Sequence, residues 1–357
     1  MRSASDGRAE AIVSSPFEAA KHKILAMPCR WLVTGVAGFI GSNILELLLK
    51  CGQEVVGVDN FSTGHRSNLE DVRAEVGPDS WKQFRFIEGD IACPEICREA
   101  CAEVEYVLHQ AALGSVPRSI ADPQGTNRSN VDGFVNMLVA ARDAGVKKFV
   151  YASSGAVYGD HPALPKTEDV IGKPLSPYAV SKYVNELYAE TFSKVYQIRC
   201  VGLRYFNVFG RRQRPGGPYA AVIPAWVSNF LQGSPCVVNG DGKTSRDFCY
   251  VENVLQANLL AAITDTQGDT HVVCNIAVGE RTTLLDLYYI IRDQLAKFQS
   301  DVKHVEPQFG PFRPGDIRHS LADISQARKL LGYAPTHAVK DGLREAIPWY
   351  CATLRPS

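Results

Sequence analysis

Short apolar runs rich in β-branched and aromatic residues alternate with helix-like patterns from Arg30 onwards. Helical segments or clusters of Gly, Pro and Asp bound each run. The six runs are Trp31–Thr34, Glu54–Val58, Phe84–Ile87, Tyr106–His109, Phe149–Ala152 and Val201–Arg204. Strands that alternate with helices indicate βαβ units. The pattern therefore predicts an α/β fold with a doubly wound, mostly parallel sheet of the Rossmann type.

The two ends of the chain depart from this alternation. Residues 1–29 are mixed in charge, and Ser-Ser-Pro at 14–16 precedes a short helical pattern at Phe17–Leu25, which we interpret as part of a surface extension. Beyond Phe206 the density of Gly and Pro rises, which predicts a smaller lobe. The predicted division is an N-terminal extension at 1–29, a Rossmann-type α/β domain at 30–205 to which 247–277 return, and a smaller C-terminal lobe of 206–246 and 278–357.

Composition excludes several classes of protein. Hydrophobic residues make up 45% and charged residues 21% of the 357 residues, as expected for a folded globular chain. Basic and acidic residues number 38 each, which argues against nucleic acid or an anionic membrane as the main partner. No apolar run approaches the ~20 residues that cross a bilayer, and no secretion signal is recognisable. We therefore expect a cytoplasmic protein.

The ten cysteines form no C-x-x-C pair. Cys93, Cys97 and Cys101 recur every four residues, so a helix would place them on one face. Zinc ligation needs closely paired ligands that converge in space, so we favour buried or idle thiols over a metal site.

A glycine pattern follows the first predicted strand. Gly35-Val-Ala-Gly38-Phe-Ile-Gly41 precedes an apolar helical segment at Asn43–Lys50. Such a turn lets the backbone approach a pyrophosphate, and the helix N-terminus presents free N–H groups to it. The order of strand, glycine turn and helix predicts a dinucleotide site.

Acidic residues at the ends of the next strands refine this prediction. Asp59 ends the second strand, where its carboxylate can accept hydrogen bonds from a ribose diol and repel a 2′-phosphate. NAD is therefore favoured over NADP, although the neighbouring His65 and Arg66 leave NADP open. Asp90 follows the third strand, where it could lie near adenine or cap a helix. The small pair Ala111-Ala112 follows the fourth strand, where a cofactor would pass close to the backbone.

The strongest candidate for chemistry is Tyr178-Ala-Val-Ser-Lys182. Residues four apart lie on one face of a helix, so the Lys182 ammonium can lie near the Tyr178 phenol. A tyrosine of pKa ~10 is a poor base at neutral pH, and a nearby positive charge favours the phenolate. Ser154 follows the fifth strand, where its hydroxyl can share a substrate proton with the phenol. We predict that the three residues form a proton-transfer device.

Together, the glycine pattern, Ser154 and the Tyr178/Lys182 pair resemble the extended short-chain dehydrogenase/reductase family, from about Arg30 to about Tyr350. Four segments are similar to those of nucleotide-sugar 4-epimerases, above all the bacterial UDP-N-acetylglucosamine 4-epimerases of surface-polysaccharide synthesis. These segments are His109–Arg118, Ser153–Asp160, Leu203–Arg211 and Ser245–Glu252.

The resemblance implies a reaction. Dehydratases and decarboxylases of the family carry acidic residues before the Val-Tyr-Gly turn, whereas this chain has Gly155 and Ala156, which cannot move a proton. Epimerisation at C4 needs only redox at one carbon. Tyr178 would take the 4-hydroxyl proton, C4 would give hydride to NAD, the 4-keto sugar would turn over, and hydride would return to its other face. NAD would then be regenerated in each cycle and held tightly.

The resemblance also implies which residues bind the ligands. Arg246 and Arg313 would hold the diphosphate, since guanidinium groups make bidentate contacts with phosphate, and Asp316 would hold the nucleotide ribose. A small residue at Ser320 would admit a 2-acetamido group. The implied cofactor contacts are Gly35, Gly38, Phe39, Ile40, Gly41, Asp59, Asn60, Asp90, Ile91, Gln110, Ala111, Ala112, Tyr178, Lys182 and Tyr205. The implied substrate contacts are Gly114, Ser115, Ser154, Gly155, Tyr178, Asn207, Ala221, Val222, Arg246, Arg313, Asp316 and Ser320.

The expected activity is interconversion of UDP-N-acetylglucosamine and UDP-N-acetylgalactosamine, extending to the unacetylated sugars or the uronic acids. Gly155 stands where the relatives often carry serine, so one polar contact to the acetamido group is missing. The alternatives are an NAD(P)-dependent reductase, dehydratase or decarboxylase of nucleotide sugars, and a non-catalytic dinucleotide sensor. The resemblance implies a homodimer joined by a four-helix bundle from the helices around Asn127–Ala144 and Tyr178–Tyr196.

Overall fold

A computed structural model describes residues 15–216, 221–266, 268–312 and 317–354. Its strands, numbered in chain order, are β1 Arg30–Thr34, β2 Glu54–Asp59, β3 Phe84–Glu88, β4 Tyr106–His109, β5 Lys148–Ser154, β6 Cys200–Tyr205, β7 Val208–Phe209, β8 Val237–Asn239, β9 Ser245–Arg246, β10 Cys249–Tyr250, β11 His271–Ile276, β12 Thr282–Thr283 and β13 Gln308–Gly310. Seven of them form one parallel sheet in the order β11-β6-β5-β4-β1-β2-β3. The six predicted strands and the doubly wound α/β fold are confirmed.

The strand order reverses at β1 and β4, which lie side by side although two strands separate them in sequence. Ligands of doubly wound folds bind outside the carboxyl ends of the strands at such a switch point. This geometry places the glycine turn after β1 and Gln110 after β4 at the same edge of the sheet.

Helices cover both faces of the sheet. Their bounds are α1 Pro16–Ala26, α2 Phe39–Lys50, α3 Arg66–Trp81, α4 Pro94–Cys101, α5 Val116–Ala121, α6 Pro123–Asn127, α7 Gly133–Asp143, α8 Pro177–Tyr196, α9 Val222–Leu231, α10 Val251–Ile263, α11 Leu284–Leu295, α12 Ser325–Leu331 and α13 Val339–Leu354. One face packs α2, α3 and α10 against the strands through residues such as Ile44 and Val254. The other face packs α4, α7 and α8 through residues such as Met137 and Phe192.

The N-terminal helix α1 differs from the predicted surface extension. The helix forms where the sequence predicts it, with Ser15 as the N-cap, but one face is buried against α10. Phe17, Ala20 and Ile24 join the core, and Gln53 Nε2 donates to the Ile24 carbonyl at 2.9 Å. The helix packs because this spacing of three and four residues forms an apolar stripe on one face. The stripe is narrow, since Lys and Ala residues occupy other positions of the helix.

A third core lies in the C-terminal part of the chain. Helices α9, α11 and α13 enclose it with β8, and it contains Trp226, Tyr288 and Tyr350. β11 returns to the main sheet beside β6. The boundaries of the lobes stay a prediction.

All ten cysteines are free thiols. Cys97 and Cys101 are buried on α4, as expected, whereas Cys93 precedes the helix as its N-cap instead of lying on the same face. Burial raises the pKa of both buried thiols to about 12, so they are protonated and inert. No helix in the described ranges is long and apolar enough to cross a membrane.

Candidate active site

A cavity of about 1520 Å³ lies along the carboxyl ends of the parallel strands. It runs from the glycine turn after β1, past the N-terminal end of α8, to Arg246 and Ser320. Most of the site residues predicted from the sequence line this single cavity.

The glycine turn packs closely against neighbouring backbone, which at Gly35 and Gly41 is possible only because these residues lack a Cβ atom. Gly35 has a positive φ of 65°, and a Cβ there would lie 2.8 Å from the Ala111 nitrogen. A Cβ on Gly41 would lie 2.1 Å from the Gly35 carbonyl oxygen. Helix α2 begins directly at Phe39 and points its free N–H groups at the cavity. This cradle fits the pyrophosphate of a dinucleotide.

Asp59 is buried at the end of β2 and joins two loops of this cradle. Its carboxylate accepts hydrogen bonds from the Ala37 nitrogen at 2.9 Å and the Phe61 nitrogen at 2.8 Å. Burial raises the pKa of Asp59, and these donors oppose the rise. These two bonds use only part of the accepting capacity of the carboxylate, so lone pairs remain for the hydroxyls of a ribose. The predicted role of Asp59 fits this geometry.

The other residues predicted to contact the adenosine part of the dinucleotide also line the cavity, at what we call its adenosine end. Asp90 Oδ1 accepts from the Ala92 nitrogen at 2.8 Å and so shapes the turn before α4. It is not the helix cap that the sequence left open, because Cys93 holds that position. Asn60 and Ile91 border the same space.

Gln110 and Tyr205 meet in a network that the sequence did not reveal. The Tyr205 hydroxyl donates to Gln110 Oε1 at 3.0 Å and accepts from Asn258 Nδ2 at 2.8 Å. Gln110 Nε2 closes the triangle by donating to Asn258 Oδ1 at 3.0 Å. Asn258 lies on α10, and only the fold brings it to β4 and β6. The network fixes both side chains beside Ala111 and Ala112 in the cavity wall.

The three predicted catalytic residues come together. Tyr178 and Lys182 lie on the first turns of α8, which Ser176 caps by accepting from the Ala179 nitrogen. Burial raises the pKa of the Tyr178 phenol, and a hydrogen bond with the Ser154 hydroxyl opposes that rise. Lys182 Nζ donates to the Ala152 carbonyl at 2.8 Å, which fixes the ammonium beneath the cavity. Burial lowers the pKa of Lys182 to about 8, so it is largely protonated at neutral pH.

A buried ion pair supports this group from behind. Glu186 follows Lys182 by one helical turn and binds Arg204 of β6 at 2.7 Å, with both side chains almost fully buried. The Ser153 hydroxyl donates to Glu186 Oε1 at 2.5 Å. The pair therefore ties α8 to the ends of β5 and β6, next to Ser154.

The sugar end of the cavity is lined by small and polar side chains. Asn207 Nδ2 donates to the Asp247 carbonyl at 2.9 Å and lies 3.4 Å from Ser320 Oγ. Gly155 faces the ring of Phe206, which would lie 3.2 Å from a Cβ at this position. Gly114 and Ser115 border the same space, and Ser115 caps α5.

Asp247 organises the segments that carry Arg246 and Ser320. Its buried carboxylate accepts from the nitrogens of Val278 at 3.0 Å, Gly279 at 3.1 Å and Ala322 at 3.3 Å. Burial raises the pKa of Asp247 to about 6, and these three donors oppose the rise.

Two predicted substrate contacts are not placed in the cavity, and two others cannot be located in the described part of the chain. Val222 begins α9 and Ala221 is its N-cap, and neither lines the cavity as far as the chain is described. Arg313 and Asp316 lie outside the described residues. The cavity is also lined by basic side chains that the sequence analysis did not predict, among them Arg118, Lys166, Arg214 and His319. No cluster of potential metal ligands occurs in the described ranges.

Comparison with known proteins shows that this chain is similar to a well-populated protein family. The model of the NAD dependent epimerase/dehydratase family matches residues 31–277. UDP-glucose 4-epimerase of Mycolicibacterium smegmatis is 35% identical over 90% of this chain and 98% of its own length.

Two solved structures are similar over the whole fold. UDP-N-acetylglucosamine 4-epimerase from Methanobrevibacter ruminantium, in complex with UDP-N-acetylmuramic acid, is 37% identical with a TM-score of 0.82 and covers 91% of this chain and 99% of its own. UDP-glucuronic acid 4-epimerase from Bacillus cereus, in complex with UDP-glucuronic acid and NAD, is 30% identical with a TM-score of 0.77 and covers 90% and 98%. Each relative resembles this chain along nearly its entire length.

Proposed function

Because the chain belongs to the NAD dependent epimerase/dehydratase family, we propose that it interconverts UDP-N-acetylglucosamine and UDP-N-acetylgalactosamine by inverting C4. The family and its relatives support NAD as the cofactor and a UDP-sugar 4-epimerase, an isomerase, as the enzyme class. The acetylated sugar is the specific part of the proposal.

The catalytic residues supply proton transfer at the sugar. When bound, NAD supplies a reversible acceptor for the hydride of C4. Tyr178 takes the proton of the 4-hydroxyl and later returns it, while the Ser154 hydroxyl shares the phenol's hydrogen bond. Lys182, held by the Ala152 carbonyl, lies one helical turn beyond Tyr178, and its positive charge would favour the ionised phenol.

The observation that carries epimerisation is the distribution of acids in the cavity. Among its described lining residues, the carboxylates are Asp59 and Asp90, and both lie at the adenosine end. Gly155 and Ala156 occupy the wall beside Ser154. Elimination of water or CO2 needs a further acid or base at the sugar, so redox at C4 is the reaction that these residues support.

The space around Ser320 supports the choice of an acetylated sugar as the substrate. A small hydroxyl there leaves room beside Asn207, whose amide can hydrogen-bond an acetamido group. Gly155 and Gly114 add no side-chain bulk. A serine side chain at position 155 would project towards the Phe206 ring, which would lie 3.2 Å from its Cβ.

The substrate preference is tested by kcat/KM for UDP-N-acetylglucosamine, UDP-glucose and UDP-glucuronic acid, measured by separating the epimers on an anion-exchange column. The proposal expects the acetylated sugar to have the highest value. A higher value for either other substrate would contradict it. UDP-uronic acids are the second candidate, because Arg118 adds a cation to the cavity wall.

Replacement of Ser320 by tyrosine tests whether the size of this side chain controls access of the acetamido group. In Ser320→Tyr we expect kcat/KM for UDP-N-acetylglucosamine to fall about tenfold or more, because the phenol fills the acetamido space. The rate with UDP-glucose serves as the internal control and should fall much less. Equal losses for both sugars would show that Ser320 does not control this access.

We also propose a homodimer through α8. Its exposed apolar residues Val180, Leu187, Tyr188 and Val195 recur at intervals of seven and eight residues and so lie on one face. Light scattering should give twice the chain mass for the wild type and the single mass for Leu187→Glu. Val237→Glu, at an exposed apolar residue of β8, is the control and should stay dimeric. A monomeric wild type would refute this proposal.

The free thiols support a reducing compartment, and we propose the cytoplasm.

A further inference from the structure

We call the segment from Arg211 to Gly216 the strap. It follows β7 after a single residue, Gly210. Gln213, Arg214 and Pro215 line the same cavity as the glycine turn and Asp59. The strap therefore borders the same cavity as the residues that would hold a dinucleotide.

Arg212 anchors the strap to both helices that flank the glycine turn. Its side chain is fully buried, and its guanidinium binds Glu46 of α2 and Asp71 of α3, each at 2.6 Å. The same group lies 3.4 Å from Asn43 Oδ1 and 3.5 Å from the Ser42 carbonyl. The strap is thus joined to the helix whose N-terminus forms the pyrophosphate cradle.

Weaker contacts extend this anchor on both sides. Asn43 Nδ2 donates to the Arg211 carbonyl at 3.0 Å, and the Arg211 guanidinium reaches Glu46 at 3.2 Å. Arg214 Nη2 donates to the Ser67 hydroxyl on α3 at 3.1 Å. Arg214 lines the cavity, and its Nε is buried and has no hydrogen-bond partner among the described residues.

The electrostatics make this anchor persistent. Burial of Glu46 alone would raise its pKa, but the hydrogen bond from Lys50 and the charges of Arg212 and Arg211 outweigh it and lower the pKa to about 2. Glu46 is therefore ionised at any working pH. Separating the strap from α2 would break the buried ion pair between Arg212 and Glu46 and leave Glu46 with Lys50 alone, which is unfavourable.

We propose that the strap, anchored by Arg212 to Glu46 and Asp71, retains NAD in the enzyme between turnovers. Arg212, Glu46 and Asp71 are positioning residues, since they hold the strap and do no chemistry on the sugar. An epimerase returns its cofactor to the starting state in every cycle, so slow release costs it no turnover. The inference rests on the cofactor of the family and not on which UDP-sugar reacts.

The test measures NAD release without any sugar. Wild-type protein and the Asp71→Asn variant are loaded with NAD, passed through a desalting column and diluted, and the NAD freed over time is assayed enzymatically. In Asp71→Asn we expect release to be about tenfold faster or more, because a charged hydrogen bond to Arg212 is lost. Its epimerase activity should depend on added NAD and rise with it.

A matched control separates the strap from general loosening. Glu75→Gln removes an exposed carboxylate on the same helix α3, 3.9 Å from Lys50, and should release NAD at the wild-type rate. Glu46→Gln should behave like Asp71→Asn, with circular dichroism to verify folding. Asp71 is the primary position because its side chain is one-third exposed and its replacement leaves the fold least affected.

Two results would overturn the proposal. One is release from folded Asp71→Asn at the wild-type rate. The other is equal acceleration in Glu75→Gln, which would indicate loosening of α3 rather than of the strap. Because the assay contains no sugar, either result leaves the proposed epimerase reaction standing.

Discussion

Replacement of Tyr178 by phenylalanine is expected to lower kcat by about 10²–10⁴-fold, because the 4-hydroxyl proton then has no acceptor in position. Binding should persist, since the ring still fills its place at the start of α8. The measurement is kcat and KM for the preferred UDP-sugar, together with the NAD content of the purified variant. KM and NAD content should stay near the wild-type values.

Tyr188→Phe is the matched control for this change. Tyr188 lies on the same helix but outside the cavity, and phenylalanine keeps the apolar ring that the proposed dimer contact uses, so the rate should stay unchanged. A Tyr178→Phe enzyme that keeps more than about half of the wild-type rate would reject the proton-transfer role, because such a role implies an effect of orders of magnitude.

The second large effect is expected on stability, from the buried pair behind the site. Arg204→Met leaves Glu186 charged, buried and unpaired, so the free energy of unfolding should fall by about 3–5 kcal/mol. Urea unfolding followed by circular dichroism measures this loss. The double variant Arg204→Met/Glu186→Leu should recover much of it, because an apolar pair can replace a buried ion pair.

Arg199→Met is the control for the stability experiment. Arg199 lies just before β6 and pairs with Asp265 at 3.8 Å, but both side chains are more than half exposed. Its removal should change stability by less than about 1 kcal/mol. An equally small change for Arg204→Met would contradict the importance assigned to the buried pair.

Much of the fold and the cofactor end could be predicted because local patterns encode them. The β-branched runs predict the strands, and the glycine turn after β1 predicts the cradle with Asp59 beside it. The Tyr178/Lys182 spacing works in the same way, because helical geometry places residues four apart on one face. In each case the sequence separation is short or follows the order of strands in a known type of sheet.

Other parts depend on contacts between distant residues, which a single sequence does not record. Asn258 contacts Gln110 only after α10 packs against the sheet. Arg212 and Asp71, which form an ion pair, are separated by 141 residues in the sequence. The burial of α1 was missed because its apolar stripe has only three residues. Glu186 carried a usable signal, since it lies one turn beyond Lys182, but its partner Arg204 became evident only from the pairing of β5 with β6.

The most direct test of the account is proton NMR of the purified protein with UDP-N-acetylglucosamine in D₂O and no added NAD. We expect the anomeric signal of UDP-N-acetylgalactosamine to appear and its ratio to the substrate signal to become constant, with the hydrogen at C4 retained in the product. Incorporation of deuterium at C4 would contradict oxidation and hydride return at that carbon. Absence of the product with NAD added, under conditions in which UDP-glucose reacts, would contradict the assignment of the acetylated substrate.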